Sequence, residues 1–303
     1  MCSAGRDRTP PPPSWPDRKA RVRMCVPTAL ARAVLALLAL ALLTTPGCGG
    51  GSSSTPSSPT SPSSPTQPPV TGNACAAIAG LLSTSQTIVN GTDCTALTYA
   101  SSVVRLRMQN AAGDIFTCSS TVIDDLWVLT AAHCLPADTT LVQVDLGPGP
   151  LVTATEFHAN PRYTGPGDGS PDVGVVKFSQ SLGHKAVPLL LSRDAAPLET
   201  AVIAGYGEGG AGVSAGVLRA AFVSVSSSND AYVLVNVAAG GSSICSGDSG
   251  GPLLISQGGE YTVAGITSAS TAGCVSGTSF FVRVRNSGVS SFILNYVPLA
   301  GQR

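Results

Sequence analysis

The sequence has no apolar run long enough to cross a membrane as a helix. Its most apolar stretch, residues 33–43, has eleven residues, and about 20 helical residues are needed to cross the ~30 Å hydrocarbon core. The basic residues that precede this stretch are Arg18, Lys19, Arg21, Arg23 and Arg32. A basic segment before a short apolar run is typical of a secretory signal. We therefore expect residues 1–47 to be an export signal that starts at Met1 or Met24; a transmembrane anchor is the alternative.

The sequence also lacks an excess of positive charge. Its formal net charge is 0, and residues 1–47 hold seven of the 17 basic residues but only two of the 17 acidic ones. Removing the signal would leave ten basic and fifteen acidic residues, a net charge of −5. Because no basic stripe remains, we expect no nucleic-acid partner.

The segment after the apolar run is rich in Gly, Ser, Thr and Pro and has no apolar periodicity. Such a composition cannot bury a core, so we expect residues 48–72 to form a disordered linker. Residues 45–48, Thr-Pro-Gly-Cys, resemble a bacterial lipoprotein signal, in which the cysteine carries the lipid. Thr45 departs from that pattern, since leucine is usual at its position. We expect an exported protein that is either secreted or anchored to the cell envelope through a lipid on Cys48.

Long helical periodicity is absent from residue 88 onward, where 216 residues remain. Short, partly alternating apolar runs between turn residues indicate strands instead. Examples are residues 103–106, 127–129, 141–146, 173–178, 232–237 and 261–266. Residues 289–297 are the candidate for a short C-terminal helix, with Phe292 and Ile293 against the body of the protein. Many strands with few helices to cover them favour a sandwich or barrel.

Two motifs carry the chemistry. One is residues 130–134, Thr-Ala-Ala-His-Cys, and the other is residues 247–252, Gly-Asp-Ser-Gly-Gly-Pro. A serine hydroxyl needs a neighbouring base to become a nucleophile, and glycines let backbone N–H groups approach a reacting carbonyl. Both motifs resemble those of the trypsin/chymotrypsin family of serine endopeptidases. The resemblance implies an all-β fold of two packed antiparallel β-barrels (chymotrypsin-like) over residues 88–303, the barrels being about 88–190 and 191–303, with the active site between them.

The resemblance also assigns catalytic roles. His133 is the general base, Ser249 the nucleophile and Asp172, which opens an apolar strand, the residue that orients the histidine. The order His, Asp, Ser agrees with the family. Asp168 is a competitor for Asp172, but its Gly-Asp-Gly-Ser context reads as a turn. His158 and His184 have no motif support and are expected to be structural.

Within the same resemblance, the N–H groups of Gly247 and Ser249 form the oxyanion hole. The chain segment beginning at Ile88 resembles the family's mature N-terminus, whose freed amino group pairs with the Asp before the nucleophile, here Asp248. We therefore expect residues 73–87 to be a pro-segment that is cut from the protease domain between Thr87 and Ile88 and stays tethered through Cys75 and Cys94.

Nine cysteines include Cys2 and Cys25 in the signal region and Cys48 at the lipid position. The six that remain indicate disulfides in an exported domain. The resemblance implies Cys118–Cys134 and Cys245–Cys274, and it leaves Cys75 as the mate of Cys94. A zinc site of Cys118, His133 and Cys134 is the alternative, although paired-cysteine zinc spacing is missing. We expect no metal and no cofactor.

The substrate specificity that the sequence predicts differs from that of trypsin. Ser243 stands six residues before the nucleophile, where trypsin-like enzymes carry the Asp that binds Lys or Arg. Ser268, Ala269 and Ser270 form the pocket wall, with Ala269 at a usual tryptophan and Ser270 at a usual glycine. We expect cleavage of protein or peptide substrates after small or medium uncharged residues, by a monomer. The alternatives are a catalytically silent homologue that only binds partners, an esterase of another fold, and a structural surface protein.

Overall fold

The structure, a computed structural model, describes residues 74–75, 92–94, 101–210, 213–271 and 274–303. The predicted signal and linker, the lipid position Cys48 and the segment around Ile88 lie outside them. The first strands are β1 (Thr92–Asp93), β2 (Val103–Asn110), β3 (Ile115–Asp124), β4 (Trp127–Thr130), β5 (Thr139–Asp145), β6 (Val152–Ala159) and β7 (Gly174–Phe178). The later ones are β8 (Thr200–Gly205), β9 (Arg219–Ser224), β10 (Ser227–Ser228), β11 (Tyr232–Val237), β12 (Pro252–Gln257), β13 (Glu260–Ser270) and β14 (Gly277–Arg283).

Strands β2 to β7 close into a barrel in the order β2-β3-β4-β7-β6-β5. Alternation along β2 shows why: Val104, Leu106 and Met108 are fully buried, and the intervening Arg105 and Arg107 are half-exposed. Side chains of a strand point alternately to its two faces, so this pattern fills the barrel interior and leaves charge outside.

The other strands form a curled antiparallel sheet in the order β1-β9-β8-β12-β13-β14-β11-β10. Its core includes Ile203, Leu253 and Phe281, all at most 2% exposed. Strand β1 falls in the stretch expected for the first barrel, yet it pairs with β9 of this second sheet. The all-β, chymotrypsin-like architecture expected from the sequence is confirmed.

The chain ends with helix α1 (Ser287–Tyr296), close to the expected residues 289–297. The side chain of Asn286 caps it by accepting a hydrogen bond from Gly288 N at 2.9 Å. Ile293 is fully buried, and half-buried Phe292 packs edge-on against Tyr296. Within the described ranges no helix is both long and apolar enough to traverse a bilayer.

Candidate active site

The histidine turn is held at the end of β4. A short 3-10 turn, Ala132–Cys134, follows that strand directly and carries His133. The Cys118–Cys134 disulfide joins the turn to β3. The short connection and the covalent link fix the backbone position of His133.

Asp172 lies two residues before the start of β7 and is fully buried. Its Oδ1 accepts a hydrogen bond from His133 N at 2.9 Å, and its Oδ2 lies 2.7 Å from His133 Nδ1. Ser268 donates a third hydrogen bond from its Oγ to Oδ2 at 2.6 Å. Since an ionised carboxylate only accepts, we assign the imidazole proton to Nδ1. A neutral ring in that tautomer keeps a lone pair on Nε2, as a general base requires.

Among the described residues, no hydrogen bond or ion pair joins His133 to the other candidate residues Asp168, His158 and His184. Asp168 is exposed in a turn, and its pKa is lowered by hydrogen bonds from Ser170 and Thr164. His158 stacks on Tyr296, with ring centroids 4.0 Å apart. His184 is half-buried, and burial lowers its pKa.

The glycine after Ser249 brings the serine loop against β4. Gly250 has φ +80°, and a Cβ there would lie 2.1 Å from Thr130 Oγ1 and 2.5 Å from Ser119 O. Only glycine fits both the dihedral angle and the space. Gly250 N also donates to Thr267 O at 2.9 Å. The serine loop is therefore packed between the strand that leads to His133 and the pocket wall.

The serine loop lies against the histidine turn, with Cys134 Sγ 3.8 Å from Ser249 O. In the described chain no hydrogen bond joins the Ser249 hydroxyl to the His133 ring. Catalytic hydrogen bonds are often long without substrate and tighten in the complex. Gly247, which is expected to form the oxyanion hole with Ser249, has φ +96° and lies against Gly207.

Asp248 lies in the loop before β12 and is only 4% exposed. Its carboxylate accepts hydrogen bonds from Gly207 N and Cys245 N, both at 2.8 Å. Burial raises the pKa of Asp248 to about 6, against the opposing effects of these two amides and of the positive charge of Arg219. The residue therefore occupies an interior position suited to a cationic partner.

A cavity of about 230 Å³ opens beside Ser249. Its lining includes Ser268, Ala269 and Ser270 on one side and Ile244 on the other, and the Cys245–Cys274 disulfide borders it. None of the described lining residues is charged. Ser243, expected in the pocket, is buried directly before Ile244 and donates to the Ile244 carbonyl at 3.3 Å rather than lining the cavity.

The described residues contain three disulfides: Cys75–Cys94, Cys118–Cys134 and Cys245–Cys274. They are the pairs that the family resemblance implied. A cysteine binds zinc as its thiolate, so the Cys118–Cys134 bond removes two of the three groups of the alternative zinc site, although their atoms cluster with His133.

Sequence reasoning missed Ser119, which follows Cys118 on β3 and is fully buried. Its N donates to Ser249 O at 2.8 Å, and its Oγ donates to Gly247 O at 2.9 Å. The same Oγ accepts a hydrogen bond from Tyr206 N at 2.8 Å. In the sequence, Ser119 is recognisable only as a polar residue next to a cysteine of a predicted disulfide. That position does not indicate a contact with Gly247 or Ser249.

The trypsin family model matches residues 88–289 of the chain. The chain belongs to the trypsin family. It is 32% identical over 195 residues to a chymotrypsin of Phaedon cochleariae, covering 56% of this chain and 68% of that one. It is 28% identical over 226 residues to the chymotrypsin-like elastase family member 1 of Homo sapiens, covering 64% and 86%.

Among solved structures, an HL collagenase superimposes with a TM-score of 0.59 at 23% identity, covering 70% of this chain and 99% of the other. That similarity bears on the fold alone. Family membership makes this trypsin-family protein a serine endopeptidase, a hydrolase whose substrates are proteins or peptides.

Proposed function

We propose that Ser249, His133 and Asp172 form the catalytic triad of this endopeptidase. The observation that carries the proposal is the buried Asp172 carboxylate, which accepts hydrogen bonds from both Nδ1 and the backbone N of His133. A carboxylate in this position orients the ring and stabilises the imidazolium that forms during the reaction.

The reaction begins when Ser249 Oγ attacks the peptide carbonyl and His133 Nε2 takes the hydroxyl proton. The oxygen of the tetrahedral intermediate accepts hydrogen bonds from the N–H groups of Gly247 and Ser249; one such donor contributes about 3–4 kcal/mol in a comparable site. His133 then protonates the departing amine, and an acyl-enzyme remains on Ser249. Water, deprotonated by His133, hydrolyses the ester and releases the acid product.

The proposed preference is for small or medium uncharged residues before the cut. The cavity beside Ser249 is small, and its described lining carries no charge to pair with Lys or Arg. The Ser270 side chain occupies one wall, and Ile244 contributes apolar surface. These features favour compact side chains that need no counter-ion.

We also propose that the enzyme is an exported zymogen. Residues 1–47 direct export, residues 48–72 form the linker, and the Thr87–Ile88 cut separates the backbone of residues 73–87 from that of the protease domain. Asp248 then receives the amino group of Ile88. The Cys75–Cys94 disulfide keeps the pro-segment attached after the cut. The linker and lipid on Cys48 tether a monomeric protease to a membrane, without a nucleic-acid partner.

A fluorophosphonate probe tests the triad. It should add its mass at Ser249, and Ser249→Ala should abolish the label. Asp172→Asn should lower kcat by about 10⁴-fold, because it reverses the hydrogen bonding to Nδ1. Ser256 is an exposed residue of β12, so the control variant Ser256→Ala should be labelled like the parent. Absence of label from the folded, cleaved protein would contradict the triad and favour the alternative, a catalytically silent homologue that only binds partners.

A peptide library and mass spectrometry of the exported protein test the finer claims. The library should show cleavage after small or medium uncharged residues, and a clear preference for Arg would refute the specificity. Mass spectrometry should find a chain beginning at Ile88, joined through Cys94 to a peptide that carries lipid on Cys48. A released pro-peptide under non-reducing conditions would contradict the tether.

A further inference from the structure

Arg219 is a buried cation that the catalytic proposal does not use. It opens β9 and is only 4% exposed. Its Nη1 donates to Gly207 O at 2.9 Å, and both terminal nitrogens donate to Ser214 O at 3.3 Å. Among the residues whose side chains the structure describes, which leaves out Asp93, no carboxylate forms an ion pair with it. An arginine stays charged in the protein interior, so a buried guanidinium without a paired anion needs a nearby negative charge.

Arg219 acts on a buried anion, the carboxylate of Asp248, from which one residue separates it. Gly207 lies between the two: its N donates to Asp248 Oδ1 at 2.8 Å, and its O accepts from Arg219. The positive charge of Arg219 lowers the pKa of Asp248 against the larger effect of burial. Opposite charges interact more strongly in the protein interior than in water, even without direct contact. Arg219 therefore favours the ionised form of Asp248.

Arg219 also borders the chain that leads to the activation site. In the β1–β9 ladder, Asp93 is paired with Arg219, and Cys94 N donates to Leu218 O at 2.9 Å. Cys94 carries the disulfide to Cys75. Ile88 lies only five residues before Asp93 in the sequence. The strand that follows the expected cut in the sequence is thus paired with the strand that begins at Arg219.

We propose that Arg219 is a positioning residue: acting through Gly207, it provides a built-in positive charge that holds Asp248 and the oxyanion loop in the working arrangement before the Thr87–Ile88 bond is cut. The uncut chain then has measurable activity, which the cut raises further. After the cut, the Ile88 amino group supplies a second cation, and the contribution of Arg219 becomes smaller. This inference rests on the triad and activation site proposed above.

The test puts the cut under control. The residues before Ile88 are replaced, in the full-length chain, by the recognition sequence of an added, highly specific protease. The rate constant of fluorophosphonate labelling at Ser249 and kcat/KM for a small peptide are measured before and after the cut. The variants are Arg219→Met, Arg219→Gln, which keeps amide donors for Gly207 O and Ser214 O, and Arg219→Lys. The control is Arg285→Met, which removes a surface arginine paired with Asp194.

Before the cut, Arg219→Met and Arg219→Gln should lower the labelling rate about tenfold, whereas Arg219→Lys and Arg285→Met should stay within about threefold of the parent. After the cut, every variant should lie within about threefold of the parent. Melting temperatures identify a variant that fails to fold. If Arg219→Met does not fold, the labelling rate of Arg219→Gln decides the test. Equal losses before and after the cut, no loss before it, or an uncut parent no more reactive than Ser249→Ala would overturn the proposal. Loss of labelling from the cut parent itself would instead refute the triad.

Discussion

Ser119 donates a hydrogen bond from its Oγ to the carbonyl oxygen of Gly247 at 2.9 Å, linking the closed barrel to the proposed oxyanion loop. Its backbone N holds Ser249 O at the same time. The two ends of the Gly247–Ser249 segment are therefore fixed by one residue of the opposite barrel. Because oxyanion stabilisation depends on donors that are already in place, this contact bears directly on catalysis.

Ser119→Ala should lower kcat/KM about tenfold through kcat, because Gly247 O and Tyr206 N lose a buried partner, each such loss costing about 1–3 kcal/mol. The measurement is steady-state kinetics on a peptide, together with urea unfolding. Neighbouring Ser120 offers a matched control, since its buried Oγ donates to Val104 O at 3.0 Å, away from the serine loop. Ser120→Ala should lose stability but keep its kcat/KM. Similar kinetics for the two variants would show that Ser119 acts on stability alone.

We expect the side chain of Ser270 to limit the size of the cavity beside Ser249. Ser270→Gly should enlarge it and raise kcat/KM for large apolar residues relative to Ala by about tenfold, the effect expected of a few methylene groups in a pocket. Ser270→Val should change the ratio in the opposite direction. Kinetics on peptides that differ only at the residue before the cut measure both. An unchanged ratio in both variants would assign specificity to another part of the cavity.

Local motifs were enough to predict the fold and the His133–Asp172 contact. Asp172 opens an apolar strand, and the histidine motif lies beside a cysteine, so both signals lie within a few residues. Ser268 was expected at the substrate, yet its Oγ also bonds to Asp172, which is 96 residues away in the sequence. No short pattern encodes a contact across two barrels.

The roles of Ser119 and Arg219 escaped prediction for the same reason. An arginine between Leu218 and Ala220 reads as the exposed position of an alternating strand. It is buried because Gly207 and Ser214, from the preceding loop, supply carbonyl acceptors. For Ser243 the sequence indicated a role that the described contacts do not include. Its position six residues before Ser249 indicated a pocket residue, whereas its side chain donates to the Ile244 carbonyl.

Asp248 should make stability depend on pH in the uncut chain. Its folded pKa of about 6 lies above the ordinary 3.8. The folded state therefore binds more protons between these values, and the contribution of this carboxyl to stability is present below pH 3.8 and lost as the pH rises through 6. The full loss is about 3 kcal/mol. The unfolding free energy of the parent, minus that of Asp248→Asn, should fall by up to this amount between pH 4 and about 7.

Urea unfolding across this pH range measures the difference, and Asp138→Asn controls for removal of an exposed carboxylate. The Asn variant cannot accept on both sides of its side chain, so it also loses about 1–3 kcal/mol at every pH. That loss is constant and does not affect the slope. A difference that stays level, or that rises with pH, would contradict the raised pKa.

Leu198 adopts a left-handed backbone conformation, with φ +65°, in the turn before β8. It is 63% exposed, so its side chain gains little from burial. Such strain in a residue other than glycine costs about 1–3 kcal/mol, and glycine's greater freedom when unfolded offsets part of the relief. Leu198→Gly should therefore raise the unfolding free energy by about 0.5–1 kcal/mol. Leu299→Gly, at an 85% exposed residue outside the left-handed region, should not stabilise the protein. Equal shifts in both variants, measured by urea unfolding, would show that the Leu198 backbone is unstrained.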